Sequence, residues 1–324
     1  MNMAKASDIK NRIKSINSTK KITKAMEMVA AAKMRKAIEA VLRTRTYANL
    51  SWGTVLQLSQ IDSLTNGEAH PLLVKRKEVK RLGIVLITSN RGLCSGFNTA
   101  VINKVHNSIV KHGQKDNTDF ILIGKKGRAV YKYFGYNIVA EFAKEDVVKE
   151  VKEILPVSQM VIADYLSGKY DKILVAYTDF VSAAKQISRV RQLLPIDITA
   201  DDEYLGVVGK DTRVGIDKDF VEDKQEKYLY SKDKKLSHEY TFEPSPKEVL
   251  DEIVPRLIEV QLFQALLESN ASEHSARMTA MHQATDAATD MVDEFQLSYN
   301  KARQAGITAE IAEISAGANA LGTD

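Results

Sequence analysis

The two ends of the chain contain long stretches without residues that interrupt a helix. No glycine or proline occurs between Met1 and Trp52, and none occurs between Arg256 and Ala305. Each stretch is long enough for one helix of roughly 75 Å, at about 1.5 Å per residue. That is several times the mean helix length in globular proteins. We therefore expect a 324-residue chain in which two long helices accompany a domain built from the middle of the sequence.

Apolar residues in the C-terminal stretch recur in alternating steps of three and four. The core positions of this heptad are Leu250, Ile253, Leu257, Val260, Gln264, Leu267, Ala271, His274, Met278, Met281, Thr285, Ala288, Val292, Phe295, Tyr299 and Ala302. Only Gln264, His274 and Thr285 among them are polar, which is typical of a coiled coil rather than of an ordinary surface helix. Pro246 favours a helix start at this point, because proline is tolerated in the first turn.

The N-terminal stretch is less regular. Its apolar residues form two groups separated by a phase slip: Ile9, Ile13 and Ile16, then Ile22, Met26 and Val29. Such a slip alters the supercoil locally. We expect two long helices that pack antiparallel, if the middle of the chain is one compact domain joining them. A pair of helices within a helical bundle is the alternative.

The charges of the two ends are opposite. Residues 1–52 contain twelve Lys and Arg against three Asp and Glu, a net charge of +9. Residues 246–324 contain five Lys and Arg against thirteen Asp and Glu, a net charge of −8. The two ends should therefore attract each other.

The middle of the chain has a different pattern. Short, nearly continuous apolar runs predict buried strands at residues 82–87, 120–123, 172–177 and 186–190. Helices are predicted between them at residues 98–112, 127–134 and 147–167. Strands that alternate with helices indicate an open α/β sheet. The fold class is therefore α/β, with a central open, Rossmann-like sheet domain and a long antiparallel coiled coil of the N- and C-terminal helices.

Four segments follow from these patterns. The N-terminal coiled-coil helix covers residues 1–58, the α/β domain 78–200, a charged insertion or loop 201–245, and the C-terminal coiled-coil helix 246–324. The insertion is polar, with a possible hairpin formed by residues 227–230 and 238–242.

Composition excludes several classes of protein. A hydrophobic fraction of 44% excludes a disordered chain, and the single cysteine, Cys94, excludes a disulfide framework. No segment approaches the roughly 20 apolar residues that span a bilayer, and no leader with an apolar core is present. We expect a soluble, unexported protein that associates with membranes only through a partner.

Residues that would carry chemistry are few. The turn at residues 89–96 follows a strand and precedes a helix, but it matches neither GxGxxG nor the P-loop pattern. Gly124 to Arg128 is a weak candidate for anion binding, and a solvated turn is the better interpretation. Cys94 has no recognisable catalytic partner, and the six histidines have no metal-binding spacing. We therefore expect no catalytic residue, no cofactor and no metal.

Two alternatives of other classes stay open at this point. An α/β nucleotide-binding enzyme with a helical arm would require a ligand at residues 89–96. A nucleic-acid-binding coiled coil would use the basic N-terminal helix, although that helix has no aromatic residue before Tyr47 to stack on bases.

Long motifs at both ends resemble one known family. The N-terminal motif reads KITKAMEMVA from Lys21, followed by KMRK from Lys33. The C-terminal motif reads YNKARQAGITAEIAEI from Tyr299, with Gly317 and Ala318 beyond it. Residues 89–98, the EPSP sequence from Glu243 and the ASEHSARM sequence from Ala271 add to the likeness. Together they resemble the gamma subunit of F-type ATP synthases over nearly the whole chain, except residues 201–240.

The resemblance implies a non-catalytic rotor. In this family, the terminal helices form a shaft inside the ring of alpha and beta subunits, and the α/β domain lies at its base. The implied partners are the alpha and beta subunits, the epsilon subunit and the membrane c-ring, with no nucleic acid and no direct bilayer insertion. The complex translocates protons, and the implied location is peripheral, on the cytoplasmic face of the bacterial inner membrane.

Matching positions imply two sets of contact residues. Contacts to the catalytic ring are implied for Met26, Arg277, Arg303, Gln304 and Thr308. Contacts of the foot to the c-ring are implied for Tyr240 and Glu243. The alternative for each is a residue that faces solvent or packs within the coil.

The sequence departs from the family in three places. Ser95 and Phe97 replace the usual Gly and Leu, and Gly306 interrupts the last helix, so the tip of the shaft is expected to be more flexible. We also expect the charged insertion to contact the epsilon subunit or the c-ring.

Overall fold

A computed structural model describes residues 2–59, 70–74, 76, 78–112, 115–146, 150–196 and 246–321. Its helices are α1 (Asn2–Ser59), α2 (Phe97–Lys111), α3 (Ala129–Phe134), α4 (Leu155–Leu166) and α5 (Pro246–Leu321). Its strands are β1 (Leu82–Ile87), β2 (Thr118–Ile123), β3 (Asn137–Phe142), β4 (Lys172–Phe180) and β5 (Gln186–Leu194). The predicted hairpin at 227–242 lies outside the described residues.

The five strands form one mixed sheet in the order β3-β2-β1-β4-β5. β1 pairs in parallel with β2 and β4, so that Val85 lies between Ile121 and Val175. β2 and β3 are also parallel, whereas β5 pairs antiparallel with β4. All six residues of β1 are buried, as expected of a central strand with helices on both faces. The predicted α/β class is confirmed, and the helical-bundle alternative is wrong.

Helices cover both faces of the sheet. On one face, Val101, Val105 and Ile109 of α2 share a buried cluster with residues of β1 and β2. On the other face, Val161 of α4 and Leu257 of α5 share a cluster with the opposite side of the same strands. The C-terminal helix is therefore part of the core of the sheet. Each fully buried aliphatic side chain contributes about 1.5–3 kcal/mol to stability relative to leaving it exposed.

Two elements differ from the predictions. β3 was not predicted, because at the sheet edge its side chains alternate between exposed and half-buried and form no continuous apolar run. The helix predicted to begin at residue 147 begins at Leu155, with Pro156 in its first turn. Proline fixes the backbone there without losing a helical hydrogen bond, which explains the later start.

The chain divides into two compact units. The coiled-coil unit contains Met1–Ala30 and Arg277–Asp324, and the sheet unit contains Ala31–Ala276. In the coiled-coil unit, Thr23 contacts Thr285 and Glu27 contacts His282, so the two helices run antiparallel. None of the helices that the structure describes has a stretch apolar enough to cross a bilayer.

The predicted heptad of α5 matches the observed burial. All of its predicted core positions, from Leu250 to Ala302, are buried or half-buried. Between residues 260 and 275, however, every residue of α5 is buried, including polar residues outside the heptad such as Gln261, Glu268 and Ser272. This part of the helix is surrounded by protein on all sides, which a heptad does not predict.

The phase slip predicted in α1 is wrong. Ile22 and Val29 are 60% and 56% exposed, whereas their neighbours Thr23 and Ala30 are buried. The buried and half-buried positions continue in regular steps of three and four through Ile9, Ile13, Ile16, Lys20, Thr23, Glu27 and Ala30. The heptad is therefore unbroken, and polar residues occupy its middle positions. A pattern read from apolar residues alone follows the wrong face of the helix here.

Candidate functional site: the shaft contacts and the polar edge of the sheet

The C-terminal contact residues implied by the resemblance lie on the surface of α5. Arg303, Gln304 and Thr308 are all exposed. The Thr308 hydroxyl donates a hydrogen bond to the Gln304 carbonyl, 2.9 Å away within the same helix. Arg303 also lines a groove of about 340 Å³ between the two helices, together with Lys10 and Gly306. An exposed guanidinium beside such a groove presents a planar fork of donors to an acidic partner.

Gly306 shapes this groove. A methyl group added at its Cα would have no neighbour within 4 Å, so the backbone is uncovered at this point. The helix continues through Gly306 to Leu321 without interruption. The glycine therefore does not break the last helix, but it leaves open space on one side.

Met26 and Arg277 lie at a second level of the coiled-coil unit. Both are half-buried. Because Glu27 contacts His282 and Thr23 contacts Thr285, Met26 is level with residues 282–283, about 8–9 Å along the helix axis from Arg277. Arg303 lies 26 residues beyond Arg277 on α5, about 39 Å at 1.5 Å per residue. The structure thus brings Met26 near the level of Arg277 and separates this pair from the Arg303 group.

Large apolar side chains on the outside of the coiled-coil unit were not among the predicted contacts. Ile22, Met28 and Val29 of α1 are exposed, as are Met291 and Leu297 of α5. Exposed apolar side chains become buried when another protein covers them, which is favourable. The signal in the sequence was the position of Ile22 and Val29, which do not fit the phase of Ile9, Ile13 and Ile16.

The turn at residues 89–96 is closed by its own side chains. The Ser89 amide donates to Asn98 Oδ1 (2.9 Å), and the Ser89 hydroxyl donates to the Arg91 carbonyl (2.6 Å). Asn98 Nδ2 lies 3.3 Å from Cys94 Sγ, and Cys94 is buried. The Ser89 amide and the side chains of Ser89, Cys94 and Asn98 are therefore engaged with one another and with the backbone of the turn.

In the turn from Gly124 to Arg128, backbone amides also donate hydrogen bonds within the protein. The amide of Gly124 donates to Phe142 O, that of Lys126 to Ser89 O, and that of Lys125 to Asn90 Oδ1. A Cβ at Gly124 would lie 2.3 Å from the Thr88 carbonyl, so this φ of +100° and close approach require glycine. Because these amides donate within the protein, they are not available to hold an anion.

The segment after β3, residues 143–146, joins several elements at the carboxyl edge of the sheet, and we call it the anchor loop. Lys144 Nζ lies 2.7 Å from Glu273 Oε2 of α5, and the two side chains are only 2% and 6% exposed. The Lys144 carbonyl accepts a hydrogen bond from Asn90 Nδ2 at 2.6 Å. Reasoning from the sequence missed this cluster, since an isolated lysine and glutamate give no sign that they meet.

Further contacts of the anchor loop reach both long helices. The Asp146 carbonyl lies 2.8 Å from His274 Nε2 of α5, and the Glu145 carbonyl accepts from Asn270 Nδ2 at 3.4 Å. Lys33 of α1 donates to Asp146 Oδ2 at 2.6 Å. This hydrogen bond from Lys33 is the main reason why the pKa of Asp146 is below its usual value.

The implied c-ring residues Tyr240 and Glu243 lie outside the described residues, so their contacts stay a prediction.

Comparisons with known proteins identify relatives over nearly the whole chain. The family model described as ATP synthase matches residues 5–321. The ATP synthase gamma chain of Heliobacterium modesticaldum is 43% identical over 97% of this chain and 98% of its own length. The ATP synthase gamma chain of Legionella pneumophila is 37% identical over 98% of this chain and its own full length.

Solved structures share the fold. A chain of the Euglena gracilis mitochondrial ATP synthase, in a structure of OSCP, F1 and the c-ring, matches with a TM-score of 0.62. It is 20% identical, and the match covers 98% of this chain and 95% of that one. A chain of the Tetrahymena thermophila central stalk and c-ring matches with a TM-score of 0.57, at 21% identity, over 81% of this chain and 99% of that one. With the identities above, these findings confirm the predicted family: the chain belongs to the ATP synthase gamma chains, the central-stalk subunits of F-type ATP synthases.

Proposed function

We propose that this chain is the rotor shaft of a proton-translocating F-type ATP synthase. In this role it couples rotation of the membrane c-ring to ATP synthesis or hydrolysis in the catalytic ring, and it regulates that activity. The observation that carries the proposal is the antiparallel coiled-coil unit with apolar side chains on its outer surface. Such a surface fits a shaft that turns inside a sleeve of other subunits.

The chain acts in this complex as a non-catalytic subunit. Polar groups of Ser89, Asn90, Gly124 and Lys126 lie at the carboxyl edge of the parallel strands, where α/β enzymes usually bind ligands, and they donate or accept within the protein. This internal use supports a mechanical role for the edge over the alternative of a nucleotide-binding enzyme.

The catalytic ring contacts the shaft at two levels. Arg303, Gln304 and Thr308 engage a loop of a catalytic subunit near the end of α5, and the exposure of all three supports this assignment. Met26 and Arg277 form the lower level. The guanidinium groups bind acidic loops, because a bidentate Arg–carboxylate pair is among the stronger surface interactions.

The foot of the rotor binds the c-ring through Tyr240 and Glu243. The charged segment 201–245 contacts the epsilon subunit or the c-ring. We infer that the chain is a peripheral protein at the cytoplasmic face of the bacterial inner membrane. The family membership supports this location, since the ATP synthase of the structural neighbour includes a c-ring.

Purification of the tagged chain from its own detergent-solubilised membranes tests the rotor role. We expect alpha, beta, epsilon and c subunits to co-purify with ATPase activity. Recovery of the chain alone, with bound nucleotide or nucleic acid, would contradict the proposal.

A substitution within the same complex tests the upper contacts. The double variant Arg303→Ala/Gln304→Ala should lower the rate of ATP synthesis about tenfold, which corresponds to about 1.4 kcal/mol. Lys301→Ala is the matched control, since Lys301 is exposed on the same helix two residues away. Equal rates for both variants would remove Arg303 and Gln304 from the proposed contact.

A further inference from the structure

The anchor loop contacts more elements than its four residues suggest. Its partners are α1 through Lys33, α5 through Glu273 and His274, and the turn after β1 through Asn90. All of these residues belong to the sheet unit. The loop is therefore the place where polar contacts to both long helices and to the sheet meet.

The buried ion pair has an unusual position. Lys144 and Glu273 lie in a dry environment, and Lys144 Nζ is also 5.7 Å from the ring centre of Phe97 at the start of α2. Removing two charges from water is costly, and an apolar pair of the same volume is often at least as stable. Stability alone therefore does not account for the pair. One role documented for buried polar pairs in other proteins is to fix a single arrangement of the elements that they join.

The contacts of the anchor loop are directional. So are the hydrogen bonds from Ser272 Oγ to the Thr178 carbonyl (3.1 Å) and from Ser275 Oγ to the Ala183 carbonyl (2.8 Å), which join α5 to β4 and to the turn after it. The apolar cluster that joins α5 to the sheet is held by non-directional burial, which changes little when a helix turns or slides slightly. An ion pair at 2.7 Å in a low dielectric weakens steeply with displacement, and so do short hydrogen bonds. Torque between α5 and the sheet therefore acts first on these directional contacts, among which the Lys144–Glu273 pair joins two buried opposite charges.

We propose that the anchor loop is the torque clamp of the rotor, and that Lys144 and Glu273 are its positioning residues. The pair holds α5 in one rotational setting against the sheet, while the Lys33–Asp146 pair holds α1. This inference rests on the proposed rotor function. It adds the specific residues through which the sheet and the two helices turn together.

The test uses the whole ATP synthase reconstituted in vesicles. The quantity measured is the coupling ratio, the ATP-driven proton uptake divided by the rate of ATP hydrolysis. Lys144→Met should lower this ratio at least threefold, because it removes the contact that holds α5 against the sheet. It also leaves Glu273 as a buried charge without its partner.

The double variant Lys144→Met/Glu273→Met separates a mechanical role from a structural one. Two apolar side chains restore the packing without the directional contact. We expect the thermal midpoint to return to that of the native complex while the coupling ratio stays at least twofold low. A native coupling ratio in this variant would overturn the proposal.

A variant of a partly exposed pair provides the same test at a smaller cost to folding. Lys33→Met releases α1 from Asp146, and both side chains of this pair are partly exposed. It should lower the coupling ratio about twofold. The matched control is Arg128→Met, which breaks the Arg128–Glu141 pair of the sheet unit at 2.7 Å and should leave the ratio unchanged.

The outcomes distinguish the two proposals. If the native chain neither assembles with the ring nor couples it, the rotor function fails. If the native complex is coupled, and Lys33→Met and the double methionine variant are coupled equally well, only the clamp fails.

Discussion

Thr285 Oγ1 lies 2.8 Å from Thr23 Oγ1, across the buried seam of the coiled-coil unit. The Met281 carbonyl lies 2.8 Å from Thr285 Oγ1, and the Lys20 carbonyl lies 3.0 Å from Thr23 Oγ1. One hydroxyl can therefore donate to a carbonyl while the other donates to its partner hydroxyl, so both are satisfied. A paired polar layer within a coiled coil fixes the register of the two helices.

The threonine pair predicts a non-additive result. Thr285→Val should lower the free energy of unfolding by about 0.5–1.5 kcal/mol, because it removes the cross-helix hydrogen bond while the Thr23 hydroxyl stays buried in the seam. The double variant Thr23→Val/Thr285→Val should lie within about 0.5 kcal/mol of the native chain, since both polar groups are removed together. Urea unfolding followed by far-ultraviolet circular dichroism measures both. Additive losses would contradict the paired layer.

The unbroken heptad of α1 predicts opposite effects at two neighbouring residues. Ala30→Leu should destabilise the chain by about 1–3 kcal/mol, because Ala30 is buried and the larger side chain overpacks the seam. Val29→Ser should change stability by no more than about 0.5 kcal/mol, because Val29 is largely exposed. The same unfolding measurement applies. If Val29 were the sensitive position, the slipped pattern would be correct.

Replacing Gly306 by alanine is expected to stabilise the tip of the shaft. Gly306→Ala should stabilise the end of α5 by about 1 kcal/mol, because the added methyl group meets no neighbour within 4 Å. Hydrogen exchange of the amides around residue 306 should slow accordingly. Ala305→Gly is the matched control, and we expect faster exchange there because the substitution has the opposite sign. Faster exchange in Gly306→Ala would show that the glycine is required by its surroundings.

The Lys33–Asp146 pair predicts a stability difference that depends on pH. The hydrogen bond from Lys33 lowers the pKa of Asp146 in the folded chain below the ordinary value of 3.8. The contribution of the Asp146 carboxylate to the free energy of unfolding is therefore fully present above that value. It is lost as the pH falls through the folded-state pKa. Asp146→Asn should be less stable than the native chain at pH 7 and at pH 5. The difference should shrink below about pH 4.

Urea unfolding of the native and Asp146→Asn chains at a series of pH values checks this sign. A difference that grows as the solution becomes more acidic would contradict it.

The sequence predicted those features that depend on periodicity. The apolar runs of β1 and β2 and the heptad of α5 repeat at the spacing of their own secondary structure, so they can be recognised without tertiary contacts. Edge strand β3 lacks a continuous apolar run, since one side of the strand faces solvent. It could not be distinguished from a loop.

The features that the sequence did not predict depend on tertiary contacts between residues that are far apart in the chain. Lys20, Thr23 and Glu27 occupy the seam of α1, although their side chains look like those of a solvated face. Lys144 and Glu273 are 129 residues apart, and nothing near either residue signals a buried partner. The contacts implied for Arg303 and Gln304 came from the resemblance to the family, and they stay predictions.

The place of α5 in the core of the sheet unit has a consequence for biosynthesis. Leu257, Leu262 and Leu267 cover the face of β1 and β4, yet the ribosome makes them after every strand is complete. In the nascent chain, the part of this face that α5 covers therefore stays exposed while residues 195–267 are made, which is 73 of the 130 residues that follow β5. We expect the growing polypeptide to depend on a chaperone that shields this face until the C-terminal helix leaves the exit tunnel.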